Sequence, residues 1–200
     1  MGREFFLANS AQSRLLLPAF IYTLSIVSYA QEVITTDTHR LDQVADGVYF
    51  ATGTGDIYTM SNALIIERED DIVIVDSHIT PAAGRALLDS IRTVSDKPVT
   101  TLINSHFHYD HSNGTPAFGD DLEIIGHEVT YEKLTGDPEN EHTYQSSLRR
   151  FDNTVARLES ELANATNAGE RGQIENQLNY WRRHVKAQSE IVFTPPTQTL

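Results

Sequence analysis

Val99-Thr100-Thr101-Leu102-Ile103, followed by Asn104-Ser105-His106-Phe107-His108-Tyr109-Asp110-His111-Ser112-Asn113-Gly114, is the stretch on which fold and chemistry both turn. A short apolar, β-branched run reads as a strand. The residues after it emerge at the rim of the sheet, where open α/β sheets carry their sites. In an extended segment, residues two apart point the same way, so His106 and His108 address one point and Asp110 continues in that direction. His111 departs from the alternation and reaches a neighbouring point. Imidazole nitrogens and a carboxylate suit Zn²⁺, with Fe²⁺ or Mn²⁺ as alternatives. With His at about 4% and Asp at about 7% of positions, a chance HxHxDH in a chain of this length has odds on the order of one in a thousand. The metal reading of His106, His108, Asp110 and His111 therefore outweighs four structural side chains.

Working outward, the chain before this motif alternates strands with turns. Asp46-Gly47 precedes Val48-Tyr49-Phe50, and Ala63 to Ile66 leads into the charged turn Glu67 to Asp71. Ile72-Val73-Ile74-Val75 ends at Asp76. Continuous β-branched runs of this kind predict strands covered on both faces. Thr80 then caps a helix with Pro81 at its first position and an apolar stripe of Leu87, Leu88, Ile91 and Val94, ended by Lys97-Pro98. Leu122 to Ile125 supplies a further strand. The alternation predicts an α/β or α+β layered domain.

Residues 141–190 change character. Leu148, Phe151, Val155, Leu158 and Leu162 form one helical face, and Ile174, Leu178, Trp181 and Val185 a second. An Asn-, Ala- and Gly-rich loop from Ala163 to Gly172 separates them, giving a helical pair.

The amino terminus has the layout of a signal peptide. Arg3 and Arg14 precede an apolar run from Leu15 to Val27, and Ser28-Tyr29-Ala30 offers small residues for cleavage before Gln31. The run would rise only about 20 Å as a helix, against a hydrocarbon core roughly 30 Å thick. The expected organisation is residues 1–30 as a cleaved signal and residues 31–200 as the domain. The product is then secreted or periplasmic, without stable membrane insertion after cleavage. Fifteen basic against 28 acidic residues give a formal charge of −13, which argues against nucleic acid as a partner. The absence of cysteine excludes disulfides, thiolate zinc sites and a Cys nucleophile within these 200 residues.

His106-x-His108-x-Asp110-His111, with Asp76 closing the earlier strand and Asp46-Gly47-Val48-Tyr49 turning into another, resembles the metallo-β-lactamase superfamily over roughly Leu41 to Leu134. The resemblance implies a four-layer αββα sandwich, of which this chain would hold the first half plus the helical pair. It implies that His106 and His108 hold a first metal and Asp110 and His111 a second, one or two ions in all. Asp76 would steady the site without binding metal. Zinc lowers the pKa of bound water from 15.7 to about 7. The implied activity is therefore hydrolysis of a small-molecule ester, thioester, lactam or phosphoester, with Asp110 the catalytic residue that orients the attacking hydroxide and takes up its proton. The family pattern needs further ligands after this motif. Of the later histidines, His127 resembles a common non-ligand position, and His142 and His184 read as surface or structural residues. His78 matches no family ligand, and His39 is expected to be disordered. The expectation is thus a carboxy-terminally incomplete domain, with Phe193 to Leu200 leading toward the first strand of a second half. Two other readings compete: a mononuclear iron oxygenase of the same fold, similar to persulfide dioxygenases, and a non-catalytic fragment. The oligomeric state is not legible.

Overall fold

The computed structural model describes residues 32–55 and 57–200. The segment read as a signal peptide lies outside them. Residues 31–200 form one compact unit built on a single eight-stranded sheet whose strands lie in sequence order. The first five, β1 (Val33–Thr35), β2 (His39–Ala45), β3 (Val48–Gly53), β4 (Ala63–Glu67) and β5 (Ile72–Val75), are an antiparallel meander. Asp46-Gly47 makes the β2–β3 turn, with Gly47 at φ +66, a conformation that costs glycine nothing. Next come α1 (Pro81–Ile91) and β6 (Val99–Ile103), the latter parallel to β5; a parallel neighbour requires such a crossover. Parallel strands β7 (Glu123–Gly126) and β8 (Gln198–Thr199) complete the sheet. Pro195-Pro196 thus leads into an edge strand of this same sheet.

Register decides which side chains meet. Tyr49, Ile65, Ile74, Leu102 and Ile124 lie opposite one another across β3 to β7 and point into the core, where Leu87 and Ile91 of α1 pack on them. Thr80 caps α1, its hydroxyl accepting from the Ala83 amide at 3.1 Å. The helix stops at Ile91, short of Lys97-Pro98, yet Val94 still packs on this core. The alternate positions Phe50, Leu64, Val75, Ile103 and Ile125 also line up, on the other face. There the expectation of two covered faces is met only in part: Val73 of β5 is buried, but Phe50 is 36% exposed and Leu64, Val75, Ile103 and Ile125 are only half-buried.

After α2 (Tyr109–Ser112) and α3 (Glu128–Thr135), the helical pair folds as α4 (His142–Asn164) and α5 (Ala168–Ala187). The connection is shorter than the composition suggests. Asn167 caps α5 through the Glu170 amide at 2.8 Å, so Gly169 and Gly172 lie inside the helix. One end of the pair closes on itself through Leu158, Ile174 and Leu178. At the other end, Tyr144, Phe151, Trp181 and Val185 pack with Ile79 and Tyr109. Since Tyr109 belongs to the His-rich motif, the pair is anchored beside it.

Candidate metal centre

β6 delivers the motif to the ends of the parallel strands, where the Asn104 amide continues the ladder to Ile125 O at 2.8 Å. His106 and His108 follow in non-helical backbone, but the alternation then stops. Tyr109 opens α2, so Asp110 and His111 sit on one helical turn and Asp110 does not continue the extended direction. The four side chains meet as two pairs. His106 Nε2 lies 3.1 Å from His108 Nδ1, and Asp110 Oδ2 lies 3.3 Å from His111 Nε2. The His106 and His111 ring centroids, 4.2 Å apart, set the pairs side by side.

Asp76 holds this arrangement from below. It is buried, with φ +65, a region that non-glycine residues occupy mostly where surrounding structure enforces it. Its Oδ1 accepts from the Ser105 amide at 2.8 Å, and its Oδ2 accepts from the Ser105 hydroxyl at 2.8 Å and faces His111 Nδ1 at 2.7 Å. The Ser105 proton is committed to Asp76, so His106 Nδ1, at 2.9 Å, must donate to Ser105 Oγ. A neutral His106 ring then presents a bare Nε2 toward His108. Burial, reinforced by His111 and His108, lowers the His106 pKa and favours that neutral form. His111 is opposite in character: burial works against its charge, but hydrogen bonds to Asp110 and Asp76 prevail and raise its pKa to about 9. Burial opposes the Asp110 charge too, and His111 outweighs it, so this carboxyl titrates below its ordinary value.

The donor set fits a divalent metal. Two ligands of a tetrahedral zinc at about 2.0–2.1 Å are themselves roughly 3.3 Å apart, close to the spacing in each pair. The imidazolium of His111 between two carboxylates marks a place that favours positive charge. Among the described residues no three His, Cys, Asp or Glu side chains are grouped so as to hold a metal ion, and the two pairs stand as separate two-residue sets.

The other histidines belong to neither pair. His127 caps α3, its Nδ1 accepting from the Val129 amide at 3.1 Å. His142 is exposed on the first turn of α4, and His184 is buried against Tyr58, Phe151 and Trp181. The expectation of disorder at His39 is overturned: it begins β2, is fully buried, and bonds His78. Ser105 and Ser61, the latter donating to Asp110 O at 2.5 Å, carry no motif of their own and were not singled out by sequence.

Gly114 closes the motif because nothing larger fits. A Cβ there would sit 1.7 Å from Ser77 O, while the Gly114 amide donates to His78 O at 3.0 Å. Gly114→Ala must push the Asp76–His78 turn away from the site. A loss of about 3 kcal/mol is expected, at the upper end for overpacking. Thermal denaturation should register this as a drop of roughly 6–12 °C; a drop below about 2 °C would show that the turn yields freely.

Comparison with known proteins gives this geometry a family. The metallo-beta-lactamase superfamily model matches residues 57–171, more than half of the chain. The chain belongs to the metallo-β-lactamase superfamily, most of whose members are metal-dependent hydrolases. A linear primary-alkylsulfatase from Pseudomonas sp. (strain ATCC 19151) is 35% identical over 65 residues, 32% of this chain and 12% of that protein. The 2,4-dinitroanisole O-demethylase subunit beta from Nocardioides sp. (strain JS1661) is 36% identical over 67 residues, 33% of this chain and 21% of that one. The aligned stretches thus span only a small part of these curated relatives. A solved metallo beta lactamase from Erythrobacter litoralis superposes with a TM-score of 0.45 at 24% identity, covering 54% of this chain and 48% of its own.

Proposed function

We propose that this chain carries the first-half ligands of an exported, zinc-dependent hydrolase acting on a small-molecule ester, thioester, lactam or phosphoester. The observation that carries the proposal is the convergence of His106 with His108 and of Asp110 with His111, at ligand spacing, in a member of this family. Zinc bound by these residues, one ion or two, would polarise the scissile group and acidify water. The chain's own contribution is orientation and proton handling. Ser105 and Asp76 hold the His106 ring in the tautomer that leaves Nε2 bare. Asp110, ionised at neutral pH, is the group that accepts a proton from water.

Arg150 favours anionic esters within this class. Its guanidinium stacks over Phe151 at 5.4 Å, and its Nη2 lies 3.9 Å from Met60 Sδ, to which the Tyr109 hydroxyl donates at 3.6 Å. Met60 thus links it to Tyr109 of the motif, and among the described residues it has no carboxylate partner. The alkylsulfatase relative is named for a substrate with this charge.

The test is a hydrolysis panel on the zinc-loaded complete protein, with the remaining ligands present: octyl sulfate, a 4-nitrophenyl ester, a thioester, a lactone, a β-lactam and a phosphoester. Turnover of at least one, removed by chelator and restored by zinc, is expected; no turnover by any zinc-loaded sample ends the proposal. Arg150→Gln should raise KM for octyl sulfate about tenfold, a typical value for one charge-assisted contact, and leave neutral esters alone. Equal effects on both would remove Arg150 from recognition.

A further inference from the structure

Behind the two ligand pairs lies a second pair of histidines that the chemistry above does not use. His39 and His78 are fully buried, and their rings stack at 5.1 Å with the two Nε2 atoms 3.1 Å apart. All four ring nitrogens are occupied. His39 Nδ1 meets the hydroxyls of Thr38 at 3.0 Å and Ser90 at 3.1 Å, and His78 Nδ1 meets Ser61 Oγ at 3.2 Å. Buried imidazoles are tolerable only when satisfied in this way, and a fully satisfied network fixes geometry more rigidly than apolar packing does.

The proton of Ser61 gives the network a direction. A hydroxyl has one proton, and Ser61 donates it to Asp110 O at 2.5 Å. His78 Nδ1 must therefore be the donor to Ser61 Oγ. Both histidines are buried and neutral, burial lowering His39 to about 4 and, with His39 adding to the effect, His78 to about 3. A neutral His78 protonated at Nδ1 has a bare Nε2, which accepts from His39 Nε2–H. His39 Nδ1 is then bare and accepts from Thr38 or Ser90. The chain runs one way, from β2 and α1 through His39, His78 and Ser61 to the Asp110 carbonyl. Its middle member holds φ +69, where glycine would be unstrained. The turn keeps a histidine in that position nonetheless.

We propose that His39, His78 and Ser61 are positioning residues that fix the Asp110–His111 peptide, and with it the second ligand pair, through this directed chain of hydrogen bonds. The proposal rests on the metal-centre reading above. It differs from a packing role in what it predicts: removing the last link should loosen metal more than it loosens the fold. Outer hydrogen bonds to ligands are worth about 10–100-fold in metal affinity.

The experiment compares zinc affinity, by competition with a chromophoric chelator, in the 200-residue wild-type chain, Ser61→Ala and Ser61→Thr, alongside the metal-free melting temperature of each. Ser61→Ala should lose about 10–100-fold in zinc affinity while remaining folded without metal. Ser61→Thr, which keeps the hydroxyl, should stay within about threefold of wild type. Wild-type affinity in Ser61→Ala, or equal losses in both variants, overturns the proposal. Imidazole ¹⁵N spectra of the wild-type chain test it without any variant: His78 must be the Nδ1–H tautomer and His39 the Nε2–H tautomer, and either reversed tautomer overturns it. A wild-type chain that binds no zinc removes the metal centre and this role together. Zinc binding indifferent to Ser61 removes only the role.

Discussion

His106→Ala and Asp110→Ala are each expected to lower zinc affinity by more than the 10–100-fold that outer hydrogen bonds are worth, because on the proposed assignment each removes a direct donor. In the zinc-loaded complete protein both should abolish the proposed hydrolysis. The two substitutions are not equivalent. Loss of His106 leaves His108 Nδ1 without the nitrogen it faces at 3.1 Å, while Asp76 and Ser105 remain bonded to each other. Loss of Asp110 leaves His111 with Asp76 as its one remaining carboxylate partner. Its pKa should then fall from about 9 toward the ordinary histidine value, since one of its two charge-stabilising hydrogen bonds is gone. His142→Ala supplies the control, because that side chain is exposed on α4. Metal content by elemental analysis after equilibrium dialysis against zinc gives the readout. Undiminished zinc in either site variant would dissolve the ligand assignment.

What sequence disclosed and what it hid divide along contact distance. The meander was legible because its punctuation is local: Asp46-Gly47 fixes one turn and Glu67 to Asp71 another. Helix α1 announced itself through Thr80-Pro81, and both halves of the helical pair through their apolar spacing. The four ligand-type residues stood out because six consecutive positions hold them all. The helical turn at Tyr109 did not, since a four-residue helix has no periodicity to detect. The α5 start was hidden by its glycines, Gly169 on the exposed first turn behind an Asn cap and Gly172 just after it. Least visible was His39. Its partner His78 is 39 residues away, and only the β2–β3–β4–β5 register carries the two to the same place. A polar residue near a flexible-looking start reads as solvent-exposed until the sheet that buries it is known.

That burial makes the metal-free fold sensitive to acid. His39 and His184 titrate at about 4 and His78 at about 3, burial being the main cause in each case, against 6.5 for an unfolded histidine. Below pH 6.5 the unfolded chain takes up protons at these positions that the folded chain refuses. Stability is therefore whole above pH 6.5 and falls as pH drops toward 4. His111 has the opposite sign: its raised pKa stabilises the fold fully below 6.5 and is lost between 6.5 and about 9, so it offsets the acid loss slightly near pH 7 and not below 6.5. Discounted for partial hydration, three such groups amount to about 3–5 kcal/mol between pH 7 and pH 5. For a domain of this size the melting temperature should drop roughly 10–15 °C. Trp181, the chain's one tryptophan, packs against His184 at 5.9 Å and Phe151 at 5.9 Å and reports the transition by fluorescence. His184→Gln should flatten the slope by about a third, because an amide in that pocket takes up no proton. A melting temperature constant from pH 7 to pH 5 would mean that these rings are hydrated in solution, and the hydrogen-bond chain behind Asp110 would then lose the dry surroundings that give it direction.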